Sequence, residues 1–137
     1  LASEKLIELI FKPYPTLICI GRIFSFSSPA QKEPFLVPSL IRAIQETPNN
    51  AKLKVENVES IRDLMNAEAV IDCIICLAQK RFSGTINIGS GEGQSVSKIA
   101  QDIIKLLNKD IEIGMSKTNS PNKMVANVED LRNILLS

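Results

Sequence analysis

The sequence predicts an α/β fold in which a few short, mostly parallel strands pack with about five helices. Two observations carry this prediction. Nearly continuous apolar stretches, typical of buried parallel strands, alternate with longer segments whose apolar residues recur every three or four positions. The clearest unit, residues 85–107, has the pattern of a strand, a glycine turn and an amphipathic helix. With 137 residues, of which 45% are hydrophobic, the chain is long enough for one domain with its own core.

The glycine turn of this unit spans residues 89–93 and leads into a helix with Ser95 as its N-cap. Backbone N–H groups at the start of a helix favour an anion, so the turn is a candidate phosphate cradle. Its spacing matches neither Gly-x-Gly-x-x-Gly nor the Gly-Lys-Ser/Thr of a P-loop, and Glu92 would repel a phosphate. We therefore expect a plain connector, with a dinucleotide-binding loop as the alternative.

The elements before the glycine turn follow from apolar spacing. An amphipathic helix ends before Pro13, and a nearly continuous apolar strand, which we expect to be covered on both faces, spans residues 16–24. A polar loop at residues 25–34 leads to a helix with Pro38 in its first turn. Residues 52–55 alternate between lysines and apolar side chains, as in a short exposed strand.

Another helix is predicted from Asn66 to about Lys80, with a buried face formed by Val70, Ile71, Ile74, Ile75 and Ala78. After residue 107, a short alternating strand at residues 110–114 precedes a polar connector at residues 116–123. Asn127 then caps a terminal helix whose apolar side consists of Val128, Leu131, Ile134 and Leu135.

Composition excludes several functions. Sixteen basic and fifteen acidic residues give a net charge of +1 without long runs of one sign, so we expect neither nucleic acid nor a membrane as a partner. No apolar run approaches the roughly 20 residues that cross a bilayer, and no signal-peptide pattern opens the chain. These features predict a cytoplasmic protein.

The three cysteines lie in apolar segments, as free thiols of a reducing compartment do. Cys73 and Cys76 form a Cys-x-x-Cys in the middle of a predicted helix, without a second pair, so we expect no metal site and no redox role. The chain contains no histidine, which removes the usual serine and cysteine triads.

Three segments carry a resemblance to a known family. Residues 22–29, Arg-Ile-Phe-Ser-Phe-Ser-Ser-Pro, resemble Arg-x-x-Asn-x-Tyr-Gly-Pro; residues 60–70 resemble Arg-Asp-Phe-x-x-Val-x-Asp-Val; and residues 87–96 resemble Asn-x-Gly-x-Gly followed by Ser-Val. In this order and spacing, nearly the whole chain resembles the C-terminal half of the extended short-chain dehydrogenase/reductase family. Its members are NAD(P)-dependent nucleotide-sugar epimerases and dehydratases with a Rossmann-type fold.

In that family the N-terminal half carries the glycine-rich cofactor loop and a catalytic Tyr-x-x-x-Lys pair. Neither motif occurs in this sequence, and residues 1–5 resemble the helix segment that follows the lysine. An alignment that makes Lys5 the catalytic lysine would put Leu1 at the tyrosine position, so we reject it. The resemblance implies that the intact enzyme uses NAD or NADP. It also implies that residues 1–137 are a fragment, without a leading methionine, that binds no cofactor and has no catalytic residue of its own.

The resemblance also suggests substrate-binding residues. Arg62 matches the arginine that holds the diphosphate of the nucleotide sugar; the alternative is a surface salt bridge with Asp63 or Glu59. Asn87 matches an asparagine near the nucleotide, although it could merely fix the turn. Arg22 is expected to anchor the end of the sheet rather than to contact ligand.

In the family, a segment that matches Phe35, Leu36 and Val37 contacts the nucleotide base; the alternative role is packing at the start of a helix. Ser25 stands where a family asparagine contacts substrate near the nicotinamide. The chain departs from the family pattern here, because serines replace the tyrosine and glycine at 27 and 28, and Ala69 replaces an aspartate. These departures leave the reaction open.

The sequence therefore predicts a substrate-binding portion for a UDP-, dTDP-, GDP- or CDP-sugar that does not catalyse alone. The alternative is a non-catalytic relative that acts as a binding or self-association module. A small complete α/β enzyme is the least favoured, since no nucleophile and base lie together in the sequence. The strand at residues 17–24 lacks the neighbours that it has in the family, so we expect a homodimer or a strand-exchanged oligomer.

Overall fold

The computed structural model describes residues 2–115 and 122–136, in which helices and strands alternate. Four of the five strand pairings in this part are parallel, as predicted. The elements in chain order are α1 (Ala2–Phe11), β1 (Cys19–Ile23), β2 (Ser25–Ser27), α2 (Leu36–Glu46), β3 (Ala51–Val55), β4 (Ile61–Asn66), α3 (Ala67–Gln79), β5 (Gly84–Ile88), β6 (Gly93–Ser95), α4 (Val96–Leu106), β7 (Ile111–Met115), β8 (Lys123–Met124) and α5 (Glu129–Leu136).

The strands of the described residues form three small sheets. β1 pairs with β5 and β3 pairs with β7, both in parallel. In the third sheet β4 is central: β2 and β8 run parallel to it, and β6 runs antiparallel. β4 therefore connects the segment after β1, the glycine turn before β6 and the segment before α5.

Two expectations about the N-terminal region are wrong. β1 is exposed at most positions rather than covered on both faces, because in the described residues only β5 pairs with it and α1 buries no residue. The expected polar loop at residues 25–34 begins with a strand, β2, whose Ser25 pairs with Leu64 and whose Ser27 pairs with Asn66. This pairing brings the end of β1 beside β4.

The described residues pack into two hydrophobic clusters. One joins α2 and α4 over β3 and β7, and its buried members are Leu40, Ile44, Val55, Val58, Val96, Ile99, Ala100, Ile103 and Ile104. The other joins α3, β5 and α5, and its buried members are Val70, Cys73, Leu77, Ile86, Ile88, Ala126, Val128 and Leu131. β4 contacts both clusters, because Leu64 packs against the first and Met65 packs against the second.

α3 begins after Asn66, in agreement with the predicted start of this helix, and the Asn66 side chain caps it by accepting a hydrogen bond from the backbone N of Ala69 at 2.7 Å. Its predicted buried face is wrong. Val70, Cys73 and Leu77 are buried, whereas Ile71, Ile74, Ile75 and Ala78 are exposed. Both stripes of the helix are apolar, so the spacing could not decide which of them faces β5 and α5.

The last two helices follow their predicted patterns except at Leu135, which is 38% exposed although it was predicted on the apolar side of the terminal helix. Ser95 caps α4 by accepting a hydrogen bond from the backbone N of Lys98, and the apolar stripe of α4 is buried. The side chain of Asn127 accepts from the backbone N of Glu129 at the start of α5. Of the predicted polar connector at residues 116–123, residues 116–121 lie outside the described part, and residue 123 belongs to β8. None of the helices in the described ranges is long and apolar enough to cross a membrane.

Candidate functional site

A cavity of about 250 Å³ opens where β2, the following loop, the start of α2 and β4 meet. β2 pairs with β4, and residues of the loop that follows β2 line the cavity together with Arg62 and Leu64 of β4. The side chains that line it are Phe24, Ser25, Phe26, Gln31, Phe35, Leu36, Val37, Arg62 and Leu64. Most of this lining is apolar, and Arg62 is its charged member.

Five of the six predicted binding residues meet in this cavity: Ser25, Phe35, Leu36, Val37 and Arg62. They come from three separate segments of the sequence. Leu36 and Val37 are half-buried at the start of α2, where both pack against the first hydrophobic cluster. Phe35 is 55% exposed, so its ring is available at the edge of the cavity. Leu36 and Val37 therefore have the alternative role of packing at the start of the helix, whereas Phe35 does not pack against this cluster.

The Arg62 guanidinium is held through one of its nitrogens. Nη1 donates to the side-chain oxygen of Asn122 at 2.5 Å and to the carbonyl of Ile61 at 3.0 Å. Nε and Nη2 have no hydrogen-bond partner among residues 2–115 and 122–136. Within these ranges no carboxylate lies within salt-bridge distance of Arg62, so the alternative pairing with Asp63 or Glu59 is absent from the described residues.

Asn87 lies outside the cavity. It sits on β5 directly opposite Arg22 of β1, and its Nδ2 donates to the carbonyl of Asn127 at 3.2 Å. The side chain thus ties β5 to the segment before α5. The alternative role for Asn87, fixing the glycine turn with its own amide, is not what this hydrogen bond does, because its partner lies outside residues 89–93.

Arg22 forms a bidentate ion pair with Glu4. Its Nε lies 2.7 Å from Oε1 and its Nη2 lies 2.8 Å from Oε2, which fastens α1 to β1. The hydrogen bond from Arg22 lowers the pKa of Glu4 to about 2. Arg22 is therefore an anchor of the sheet end, as predicted, and lies away from the cavity.

The residue that sequence analysis missed is Asp63, which neighbours Arg62 on β4 and is fully buried. Its Oδ1 accepts from the backbone N and the hydroxyl of Ser90, at 2.8 and 2.6 Å. Its Oδ2 accepts from the backbone N of Gly91 at 2.9 Å and of Ala126 at 3.1 Å. Burial raises the pKa of Asp63, but these hydrogen bonds outweigh it and bring the pKa below the ordinary value.

Asp63 explains the glycine turn. The backbone donors of Ser90 and Gly91, which could have cradled a phosphate, are bound to this internal carboxylate. Gly89 lets the carboxylate approach, since a Cβ there would lie 2.7 Å from Asp63 Oδ2. Gly91 has a φ of +77°, a backbone conformation that favours glycine. The turn is a connector fixed to β4, as expected. The signal in the sequence that could have identified Asp63 is its position: with strand spacing, it falls on the same face as the apolar residues Ile61 and Met65.

The cysteines are free. Cys73 is buried in α3 and burial raises the pKa of its thiol, Cys76 is half-buried, and Cys19 is exposed on β1. Across the described ranges, no group of three or more cysteine or acidic side chains is placed to hold a metal ion.

The family model that matches the chain is described as GDP-mannose 4,6 dehydratase, and the match spans residues 1–134. No curated protein has significant sequence similarity to the chain.

Solved structures of similar fold cover nearly all of this chain. They include dTDP-glucose 4,6-dehydratase from Bacillus anthracis in complex with NAD, at 22% identity and a TM-score of 0.77 over 99% of this chain. RMD from Pseudomonas aeruginosa with NADPH aligns at 19% identity and 0.84 over 97%. UDP-N-acetylglucosamine 4-epimerase from Methanobrevibacter ruminantium M1, with UDP-N-acetylmuramic acid, aligns at 20% identity and 0.82 over 97%. These likenesses establish the fold, and the chain spans 44–46% of the three solved chains.

Proposed function

This chain belongs to the GDP-mannose 4,6 dehydratase family, and we propose that residues 1–137 are the nucleotide-sugar-binding portion of an NAD(P)-dependent epimerase or dehydratase. The observation that carries the proposal is the meeting of Arg62 with Phe35, Leu36 and Val37 in one cavity. A cation beside an apolar and aromatic wall matches a nucleoside diphosphate, which is anionic at one end and flat and weakly polar at the other.

The geometry of Arg62 supports a phosphate as its ligand. Asn122 and Ile61 hold the guanidinium through Nη1, which leaves Nε and Nη2 without hydrogen bonds in the described part of the chain. Two parallel N–H groups on one edge of a guanidinium form bidentate hydrogen bonds to phosphate oxygens. In this proposal Asn122 and Ile61 orient the guanidinium, and its second edge binds the diphosphate.

The remaining polar groups receive smaller roles. Ser25 contributes a hydroxyl to the same cavity, and we assign it to the sugar side of the ligand, where the family has an asparagine. Asn87, which donates to Asn127, serves in this proposal to fix the segment before α5 rather than to bind the nucleotide.

We propose that the described residues contribute no cofactor site of their own. The backbone donors of Ser90 and Gly91 are bound to Asp63, so the glycine turn is not free to bind the diphosphate of NAD or NADP. The sequence also carries no Tyr-x-x-x-Lys motif. We therefore propose that this chain binds and orients the nucleotide sugar, and that the hydride and proton transfers of the intact enzyme depend on a Rossmann half.

The second candidate function, a self-association module, is favoured by the exposed apolar surface. Leu6, Leu9 and Ile10 of α1 are exposed, and one edge of β1 has no strand partner in the described residues. A long unpaired edge beside apolar side chains invites pairing with another chain. A second copy of this chain or a Rossmann half could each provide a strand that pairs with this edge.

Calorimetric titration of UDP, dTDP, GDP and CDP into the purified chain tests the proposed function. We expect at least one of them to bind, and we expect Arg62→Ala to weaken it by about 10- to 100-fold, the value of a charge-assisted hydrogen bond. Arg81→Ala is the matched control, because it removes the same charge from the exposed end of α3, and it should leave affinity unchanged. Equal affinity of the Arg62 and Arg81 variants would refute the assignment.

A further inference from the structure

The acceptors that hold Arg62 in the described part of the chain are all neutral. Nη1 donates to Oδ1 of Asn122 at 2.5 Å, and the carbonyl oxygens of Ile61 and Asn122 lie 3.0 and 3.4 Å from the same nitrogen. Other cations, such as Arg22 and Lys98, pair with carboxylates instead. The guanidinium of Arg62 is therefore held by groups that leave its positive charge uncompensated.

The acid next to Arg62 in the sequence, Asp63, does not neutralise this charge. Successive side chains of a strand point to opposite faces, so Asp63 faces away from Arg62. Both oxygens of its carboxylate accept hydrogen bonds from the glycine turn and from Ala126. The residues paired with Arg62 on the neighbouring strands are Gln94 of β6 and Met124 of β8, which carry no charge. Among the described residues, the charge of Arg62 is thus left for a ligand.

The backbone of Asn122 is fixed to the start of β4 independently of its side chain. Its N donates to the hydroxyl of Ser60 at 3.3 Å, and its carbonyl accepts from the backbone N of Ile61 at 2.9 Å. Of the described residues that line the cavity, Arg62 is the one to which Asn122 is hydrogen-bonded. The amide of Asn122 is therefore in place before a ligand binds, and it acts on the cavity through Arg62.

We propose that Asn122 is a positioning residue whose neutral amide preserves the charge of the ligand site. A carboxylate at this place would hold the guanidinium at least as firmly, but it would form a salt bridge with Arg62 and compensate the charge that attracts a phosphate. The amide fixes Nη1 and leaves Nε and Nη2 to an anion. This inference rests on the proposed function, because it assumes that Arg62 binds the diphosphate of a nucleotide.

Two variants separate this role from a purely structural one. Asn122→Asp keeps the shape of the side chain and its acceptor and adds a negative charge, whereas Asn122→Ala removes the acceptor without adding charge. Asn133→Asp, at an exposed position of α5, is the matched control for the added charge. Calorimetric titration of UDP, dTDP, GDP and CDP measures affinity, and the urea midpoint of the ligand-free chain measures stability. The wild type and Arg62→Ala are measured alongside.

We expect Asn122→Asp to weaken the binding of the tightest of these nucleotides about tenfold, while its urea midpoint stays at or above that of the wild type. Asn122→Ala should lower the urea midpoint and weaken binding by a smaller factor, about threefold. Asn133→Asp should leave the affinity unchanged. A purely structural role predicts the reverse order of affinities, because the aspartate preserves the hydrogen bond that the alanine loses.

Three results overturn this inference alone, provided that Arg62→Ala still loses affinity. They are equal affinity of Asn122→Asp and the wild type, weaker binding by Asn122→Ala than by Asn122→Asp, and a urea midpoint of Asn122→Asp below that of Asn122→Ala. A wild-type chain that binds none of the four nucleotides, or an Arg62→Ala variant that binds as tightly as the wild type, overturns the proposed function as well.

Discussion

Asp63 of β4 and Ser90 of the glycine turn are joined by two hydrogen bonds to one carboxylate oxygen, from the Ser90 backbone N at 2.8 Å and from its hydroxyl at 2.6 Å. Gly91 and Ala126 donate to the other oxygen. The buried carboxylate thus holds together three segments that are distant in sequence. Arg62, the next residue on β4, takes its position from the strand that this network fixes.

Asp63→Asn is expected to destabilise the fold. The amide would turn an NH₂ group towards backbone N–H donors and leave at least one of them buried without an acceptor, which costs about 2 to 4 kcal/mol in the free energy of unfolding. Urea denaturation measures this loss. Asp72→Asn, at an exposed position of α3, is the control and should change stability by no more than about 0.5 kcal/mol. Equal stability of the two variants would show that the network is not needed.

Stability should fall in acid. For Asp63, burial raises the pKa, but the hydrogen bonds from Ser90, Ala126 and Gly91 lower it by more, so the pKa lies below its ordinary value. The hydrogen bond from Arg22 lowers the pKa of Glu4 to about 2. A carboxyl group with a lower pKa in the folded state contributes stability above its ordinary pKa, 3.8 for Asp63 and 4.5 for Glu4, and loses it as the pH falls through the folded value.

We therefore expect the Tm to be level above about pH 5 and to fall between about pH 5 and pH 2. Thermal unfolding across this range measures the profile, and Asp63→Asn should flatten it. Glu4→Gln should flatten it less, because the Glu4–Arg22 pair is partly open to solvent, whereas Asp63 is fully buried. A profile that is the same in Asp63→Asn as in the wild type would contradict the assignment to Asp63.

Gly89 is expected to reject a side chain. A Cβ at this position would lie 2.5 Å from the Ala126 Cβ and 2.7 Å from Asp63 Oδ2, so Gly89→Ala must displace the network and should cost about 1 to 3 kcal/mol. Gly114→Ala, in β7, is the matched control, because the nearest atom to its Cβ would lie at 3.7 Å. Chemical denaturation of both variants measures the free energy of unfolding. Equal values for Gly89→Ala and Gly114→Ala would show that the chain has room for a side chain at position 89.

The exposed stripe of α3 should promote association. Ile71, Ile74 and Ile75 are each about half exposed on one face of the helix. Light scattering after size-exclusion chromatography should give a mass above the 15.1 kDa of the chain that increases with concentration. Ile74→Glu should lower this mass, whereas Leu136→Glu, at the exposed end of α5, should not. A monomer at all concentrations would contradict this prediction and the expected dimer or strand-exchanged oligomer.

Features that depend on nearby residues could be predicted from the sequence, whereas contacts between residues far apart in the chain could not. Ser95 as a cap, the stripe of α4 and the glycine turn as a connector depend on neighbours in sequence, and all three predictions were confirmed. Asp63 was missed because its partners lie 27 to 63 residues away, beyond the reach of periodicity. The resemblance to the family supplied the grouping of Arg62 with Phe35, which no spacing within the chain could have provided.

The predicted faces of α3 and β1 failed for a different reason. α3 has two apolar stripes, so its spacing alone could not tell which one is buried. β1 has the composition of a strand covered on both faces, but in the described residues it has one strand neighbour. A sequence pattern reports what a segment can bury, and the neighbours that are present decide what it does bury.

The most direct test of the central claim is a titration of the ¹⁵N-labelled chain with each of UDP, dTDP, GDP and CDP, followed by the backbone amide resonances. If Arg62 and the apolar wall bind the nucleotide, the resonances of residues 25–37 and 61–64 shift with a common dissociation constant, and those of residues 89–93 stay largely in place. Shifts confined to residues 89–93 would mean that the glycine turn binds the phosphate after all, and would contradict the account.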